Sequence, residues 1–383
     1  MSELFLGLIS GTSMDGVDAA VVALPEDGRR GCELVAAACH PYADDLGRAL
    51  ERAVADPASC GLDTLGRLDV QVGGAFAAAA LRLLAEADLE PGAIRAIGSH
   101  GQTLRHRPDA ETPYTLQIGD PNVIVARTGV TTVADFRRRD IALGGEAAPL
   151  APAFHGWLFG GGPPAAVVNI GGIANVTLVD GDVRAGFDTG PGNTLMDVWV
   201  RRHRGEPCDR DGAFAREGTV SPLLLEACLD DPYFTALPPK STGREYFNAR
   251  WLERRLEALP AQPAPADVQA TLAELTAMTV ARAIGEYGDK IGGEYGNGCS
   301  RVLICGGGAH NGFLMERLAE LCAPAAVAST GTAGLPPDWV EAAAFAWLAR
   351  ETLAGRPGNR PRVTGAQSAA VLGGIYPAEG AAP

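Results

Sequence analysis

Phe5-Leu-Gly-Leu-Ile-Ser-Gly-Thr-Ser-Met-Asp-Gly-Val-Asp-Ala-Ala-Val-Val-Ala-Leu24 joins two apolar runs through a short polar bend. The runs predict a strand pair, and the bend has the makings of a phosphate cup. Gly11 and Gly16 reach backbone angles closed to other residues, so the main chain can curl and aim N–H groups at an anion. Thr12 and Ser13 add hydroxyl donors. Asp15 and Asp18 are unsuited to gripping phosphate but suited to ordering the hydrated Mg²⁺ that accompanies a nucleotide. An ordinary hairpin with glycine in its turn is an equal alternative on this segment alone. Neither Gly-x-x-x-x-Gly-Lys-Ser/Thr nor Gly-x-Gly-x-x-Gly occurs, so Walker-type and dinucleotide readings lack their motif.

Outward from that stretch, 383 residues exceed one comfortable core and predict two or more domains at roughly 150 residues each. A net charge of −14 argues against nucleic acid or an anionic membrane as partner. Glu3 stands where a signal peptide would be basic, and no apolar stretch is expected to approach the length of a membrane span, so a soluble protein is expected. Eight cysteines without Cys-x-x-Cys spacing read as small apolar residues in a reducing cytoplasm.

Further along, Leu62 to Glu86 carries apolar residues near the 3.6 period and predicts a helix. Ile94 to Thr103 predicts a short strand ending in Ser99, His100, Gly101 and Gln102, and the carboxyl ends of strands are where α/β sheets hold ligands. For a lone histidine the plainer use is to satisfy a buried backbone group. Thr131 to Asp140 runs a strand into Arg137, Arg138 and Arg139; a solvated cluster is the default, and one arginine facing a cleft to bind an anion is the alternative. The domain change is placed here.

Ala165 to Asp182 repeats the opening grammar of apolar run, glycine turn and apolar run, with Gly171 and Gly172 in the turn, and suggests a duplicated architecture. Asp188 follows within Gly186-Phe-Asp-Thr-Gly-Pro-Gly-Asn193, ahead of a helix from Thr194. A turn aspartate is one reading; a general base beside a helix N-terminus and a second glycine turn is the other. Lys240-Ser-Thr-Gly-Arg244 is a polar, basic loop. Gly306, Gly307 and Gly308 interrupt a strand–helix transition, leaving a bare backbone surface for a flat group such as adenine, or else a tight packing turn. Glu341 opens a last helix, Val340 to Ala349, where it matches the macrodipole or reaches a cleft.

Taken in order, Gly7 to Asp18, Gly98 to Thr103, Ala134 to Asp140, Asn169 to Gly172, Gly186 to Asn193, Lys240 to Arg244 and Cys305 to Gly308 resemble the anhydro-N-acetylmuramic acid kinases, a bacterial branch of the sugar kinase, Hsp70 and actin superfamily. The resemblance implies an α/β, two-domain, duplicated ribonuclease H-like fold with a central ATP cleft. Residues 1–133 with 370–383 would form domain I, and residues 134–369 domain II. It implies ATP-dependent phosphorylation of 1,6-anhydro-N-acetylmuramic acid with hydrolytic opening of the anhydro ring. The product would be the 6-phosphate used in murein recycling.

Carried across by motif, Gly11, Thr12, Ser13, Met14, Asp15, Gly16, Val17 and Asp18 would hold the ATP phosphates, with Mg²⁺ expected near Asp18. Gly171, Gly172, Gly306, Gly307 and Gly308 complete the ATP set. Asp188 would be the catalytic base, and His100, Arg137 and Glu341 would bind the sugar. A cytoplasmic homodimer acting on a small sugar, with no nucleic-acid or membrane partner, is the implied working form. Two rival readings are a kinase of the same superfamily acting on another sugar or a carboxylic acid, and a non-catalytic ATP-driven binding module.

Overall fold

The computed structural model describes residues 2–11, 14, 16–288 and 298–379. Thr12, Ser13 and Asp15 of the opening bend lie outside the described residues. The strands in chain order are β1 (Ser2–Ser10), β2 (Gly16–Pro25), β3 (Glu33–Pro41), β4 (Ile94–Arg107), β5 (Tyr114–Ile118), β6 (Thr132–Ala134), β7 (Ala165–Ile170), β8 (Ile173–Asp180), β9 (Asp182–Pro191), β10 (Arg301–Cys305), β11 (Ala326–Ser329) and β12 (Gly374–Tyr376).

The chain divides into two compact units, Met1–Phe154 with Trp339–Pro383, and His155–Asp338. The predicted change near residue 134 falls inside the first unit. The reason is β6, which pairs in parallel with β4 through Ile97–Thr132, Gly98–Val133 and Ser99–Ala134, so the chain is still building the first sheet where the arginines begin. Residues 339–369 likewise belong with the first unit and not with Asp188.

In the first unit the sheet order is β12-β6-β4-β1-β2-β3, with β5 paired to β4. β1, β2 and β3 form an antiparallel meander, and β4 and β6 join it in parallel. The second unit repeats this: β9-β8-β7 is an antiparallel meander, and β10 and β11 join it in parallel, giving the order β11-β10-β7-β8-β9. One strand order used twice is the duplicated ribonuclease H-like architecture.

Helix Leu62–Glu86 forms over the predicted residues and buries Leu68, Val72, Phe76 and Leu83 against the first sheet's core. Each such side chain contributes about 1.5–3 kcal/mol on leaving water. This helix is long and apolar enough to cross a membrane by length and composition, which corrects the reading that no stretch reaches that length. Its alanines and leucines serve that buried face.

Helix Val340–Leu353 lies directly on β1 and β4 because two glycines let it. A Cβ on Gly7 would stand 1.8 Å from the Ala342 carbonyl oxygen, and one on Gly98 2.0 Å from that of Phe345. Backbone contact at that range excludes any side chain. Glu341 is therefore delivered by the first unit's sheet.

Candidate active site

The strand carrying His100 does not end at Gln102. β4 continues to Arg107 and turns back through β5, pairing Gln102 with Ile118 and His106 with Thr115. Its parallel neighbours stop level with the motif, at Ser10 and Ala134. His100 thus lies at the carboxyl edge of the parallel core while sitting mid-strand. Gly101, at φ +74°, is where the strand bends, and a Cβ there would stand 2.4 Å from the Ile118 carbonyl oxygen. Gln102 ties this edge to the opening bend: Ser10 Oγ donates to its Oε1 at 2.7 Å, and its Nε2 donates to the Gly11 carbonyl at 3.3 Å.

Of the three consecutive arginines, Arg138 and Arg139 are exposed and Arg137 turns inward. Arg137 Nε donates to His100 Nε2 at 2.9 Å, and Nη1 donates to the Ala147 carbonyl. His100 Nδ1 donates to the Gly101 carbonyl at 2.9 Å, so the imidazole is the neutral Nδ1–H form with Nε2 as acceptor. Burial, with the Arg137 charge adding to it, holds His100 well below its ordinary value. Burial also lowers the Arg137 guanidinium to about 10, with Glu341 and Asp140 pulling the other way. Arg137 therefore stays cationic at neutral pH.

Asp140 fixes the floor under this arginine. Its fully buried carboxylate accepts from Ala147 N (2.8 Å), Asn359 Nδ2 (2.7 Å) and Thr364 Oγ1 (2.8 Å). Ala147 is held at φ +54°, in the left-handed region, which turns its carbonyl onto Arg137. The first unit thus brings together His100, Arg137 and the charge of Glu341.

In the second unit three glycine turns meet backbone to backbone. The N–H groups of Gly192 and Asn193 donate to Gly172 and Gly171, and Asn193 Nδ2 donates to the Ile170 carbonyl at 3.1 Å. A Cβ on Gly192 would stand 2.3 Å from the Gly171 carbonyl oxygen, and one on Gly308 2.4 Å from the Ile170 side chain and 3.2 Å from its carbonyl oxygen. Gly306, at φ +75°, faces Asn169. The turns at 171–172, 192–193 and 306–308 form a surface of bare backbone at the carboxyl ends of β7 and β10, which fits a nucleotide. Arg244 lies against it, its Nε 2.7 Å from where a Gly172 Cβ would be. Burial pushes nearby Asp197 up to about 6, against the charges of Arg244 and Arg201.

Asp188 sits within β9, three residues before its end, rather than in a turn beyond it. The register slips beside it: Ala174 pairs with Gly190 and Asn175 with Asp188, leaving Thr189 as an extra residue. Such a bulge re-aims the side chain next to it. The loop that follows helix Pro222–Leu229 clamps this position. Thr242 N donates to Asp188 Oδ2 at 3.0 Å, Asp188 N donates to the Lys240 carbonyl at 3.2 Å, and Tyr233 Oη donates to the Asp188 carbonyl at 2.8 Å. Lys240 Nζ donates to the Tyr233 carbonyl at 3.1 Å and stands 4.7 Å from that ring's centre. Lys240, Thr242, Tyr233 and Arg244 were assigned no role from sequence. The Lys240–Arg244 run was the visible signal, but Thr242 and Lys240 reach Asp188 through backbone atoms, which no side-chain pattern reports.

Two sheets of one strand order, a hairpin bend after the first strand and glycine turns at the carboxyl ends of β7 and β10 define the sugar kinase, Hsp70 and actin class of fold. The sequence profile of the anhydro-N-acetylmuramic acid kinases matches residues 3–378. The chain belongs to the anhydro-N-acetylmuramic acid kinase family, and is thereby a carbohydrate kinase. It is 51% identical over 380 residues to the protein of that name from Xylella fastidiosa, covering 98% of this chain and 97% of that one. To its namesake from Xanthomonas campestris pv. campestris it is 52% identical over 381 residues, covering 98% of each. A solved ROK hexokinase from Thermus thermophilus overlaps loosely, at TM-score 0.37 and 17% identity over 91% of this chain and 99% of that one.

Proposed function

We propose that this chain transfers the γ-phosphoryl group of ATP to O6 of 1,6-anhydro-N-acetylmuramic acid while water opens the anhydro bridge, giving the 6-phosphate for murein recycling. The observation that carries the reading is Asp188, set beside a bulge in β9 with its carboxylate accepting from the Thr242 N–H.

Water is a poor nucleophile towards an acetal, and a positioned carboxylate that takes its proton during attack supplies about 10²–10⁴-fold. The water oxygen bonds to the anomeric carbon and the carbon–bridging-oxygen bond breaks. That oxygen takes the γ-phosphoryl group, ADP leaves, and the proton passes to Asp188. Arg137, Glu341 and His100 bind the sugar: the guanidinium offers a permanent charge and fixed donors. Gly11 to Asp18 hold the phosphates, and Gly171, Gly172 and Gly306 to Gly308 border the nucleotide.

Mg²⁺ is held in kinases by one or two carboxylates with waters and phosphates. Asp18, paired with Ile9 at the mouth of the β1–β2 hairpin, fits that requirement, and no group of three metal-ligating side chains occurs among the described residues. The ion would spread phosphate charge. A cytoplasmic homodimer is the working form that the family resemblance implies.

Replacing Asp188 by Asn is expected to lower kcat by at least about 10²-fold while ATP binding by calorimetry stays intact. ADP release with the anhydro sugar, compared with its hydrolysed open form, reads both the base and the substrate. Full turnover by the variant, or equal turnover of the open sugar, overturns the assignment.

A further inference from the structure

The β8–β9 ladder sets Asn175 directly across from Asp188. Residues opposite each other share one face of the sheet, with Cβ atoms about 4.5–5.5 Å apart. The adjacent pair, Val176 and Phe187, points into the core that contains Leu195 and Val280. By strand alternation Asn175 and Asp188 therefore point to the opposite face. Thr177, two residues on from Asn175, confirms the side: its hydroxyl meets His155 there at 2.8 Å.

Asn175 Oδ1 is buried and has no hydrogen-bond donor among the described residues. An amide oxygen can only accept, and leaving one buried without a donor is destabilising, so its retention beside a carboxylate calls for a ligand that donates. A water molecule offers two donors from one small atom, one for each of two facing acceptors, and the proposed hydrolytic step brings a water to Asp188.

We propose that Asn175 is a second catalytic residue, the acceptor that orients the attacking water together with Asp188. One O–H of the water points to the Asp188 carboxylate and the other to Asn175 Oδ1, which leaves a lone pair directed at the anomeric carbon. On attack the first proton moves to Asp188. The second stays on oxygen and becomes the anomeric hydroxyl of the product, still bonded to Asn175. The assignment rests on reading Asp188 as the base.

Two variants test it, with Asp188→Asn run beside them. Asn175→Ala is expected to lower kcat by about 10–100-fold with KM for ATP and for the sugar within about twofold of wild type. Asn175→Asp keeps the acceptor but sets a second carboxylate opposite the first. Like charge raises the pKa of Asp188, so the acid limb of the kcat/KM profile should move up by about one pH unit. A residue that merely filled space would not move the kcat–KM split in Asn175→Ala, and the limb shift in Asn175→Asp reads that position 175 faces the base. Wild-type kcat in Asn175→Ala overturns the role of Asn175, and an unshifted limb in Asn175→Asp overturns its placement opposite the base. Retained turnover in Asp188→Asn overturns the base itself and the inference with it. If Asn175→Ala does not fold, Asn175→Ser, which keeps a smaller acceptor, decides by the same kcat–KM split: a fall in kcat at constant KM supports the role and wild-type kcat overturns it.

Discussion

Arg137 in the first unit and Asp188 in the second are both charged groups at the carboxyl edge of their sheets, yet they are fixed by opposite means. Arg137 is gripped at its head: Nε and Nη1 are committed to His100 and Ala147, and beneath Ala147 lies the fully buried Asp140 with three donors of its own. Asp188 is held through its backbone by Tyr233 and the Lys240 carbonyl, and its carboxylate accepts from the Thr242 N–H. A guanidinium keeps its proton at neutral pH even when burial brings it to about 10, so the fold can bury and brace it. The carboxylate proposed to exchange a proton with water is held by a loop that reaches it through main-chain atoms.

The sharpest break of this contrast is at Asp140. Asp140→Ala leaves the Ala147 N–H, Asn359 amide and Thr364 hydroxyl without their acceptor. The expected cost is about 4 kcal/mol, from about 1–3 kcal/mol per unmet buried donor. That corresponds to a fall of roughly 10 °C in unfolding temperature by calorimetry. Sugar KM should rise as well, because Ala147 no longer holds Arg137. An unchanged melting temperature and KM would show that Arg137 is not braced from the interior.

How far this was legible follows from which atoms carry the information. The β1–β2 hairpin, helix Leu62–Glu86 and the echo at Asn169 were readable because periodicity and glycine turns are local patterns. The motifs carrying Asp188, Arg137 and Glu341 were readable for the same reason. The unit boundary was not. A run of arginines looked like an ending, whereas β6 was pairing with β4, and Glu341 joined the first unit through Gly7 and Gly98, whose role appears only when a helix lies on them. Asn175 was hidden for a register reason: the extra residue Thr189 decides what faces Asp188, and nothing in the sequence marks a bulge as such.

A pH measurement sharpens the first half of the contrast. His100 is held neutral by burial and by Arg137, well below its ordinary value. As pH falls through about 6.5 the unfolded chain binds a proton there that the folded chain refuses, so stability declines with falling pH. The slope for one histidine approaches about 1.4 kcal/mol per pH unit. His155, pushed to about 3 by burial, adds a like slope from the second unit. Urea unfolding at pH 6.5 and 5.5 should therefore show a decline that His100→Asn reduces by one proton's share. An undiminished slope in that variant would mean that His100 is protonated beside Arg137 and that the pair is not a neutral acceptor with a cation.

The gentlest test falls on the second half. Tyr233→Phe removes only the hydroxyl that donates to the Asp188 carbonyl, and leaves the ring under Lys240 in place. A neutral hydrogen bond of this kind is worth about 1 kcal/mol, so the change in unfolding temperature should be small, about 2–4 °C. If the loop fixes Asp188 through its main chain, the same loss appears in catalysis: a misaimed base is equivalent to a barrier raised by about 1 kcal/mol, or about fivefold in kcat. Sugar KM should not move, since Arg137, Glu341 and His100, the proposed sugar-binding set, are untouched. A drop in kcat with constant KM places the clamp on the chemical step. A rise in KM with constant kcat would show instead that the Tyr233 loop shapes sugar binding, and that the division of labour between the two centres is wrong.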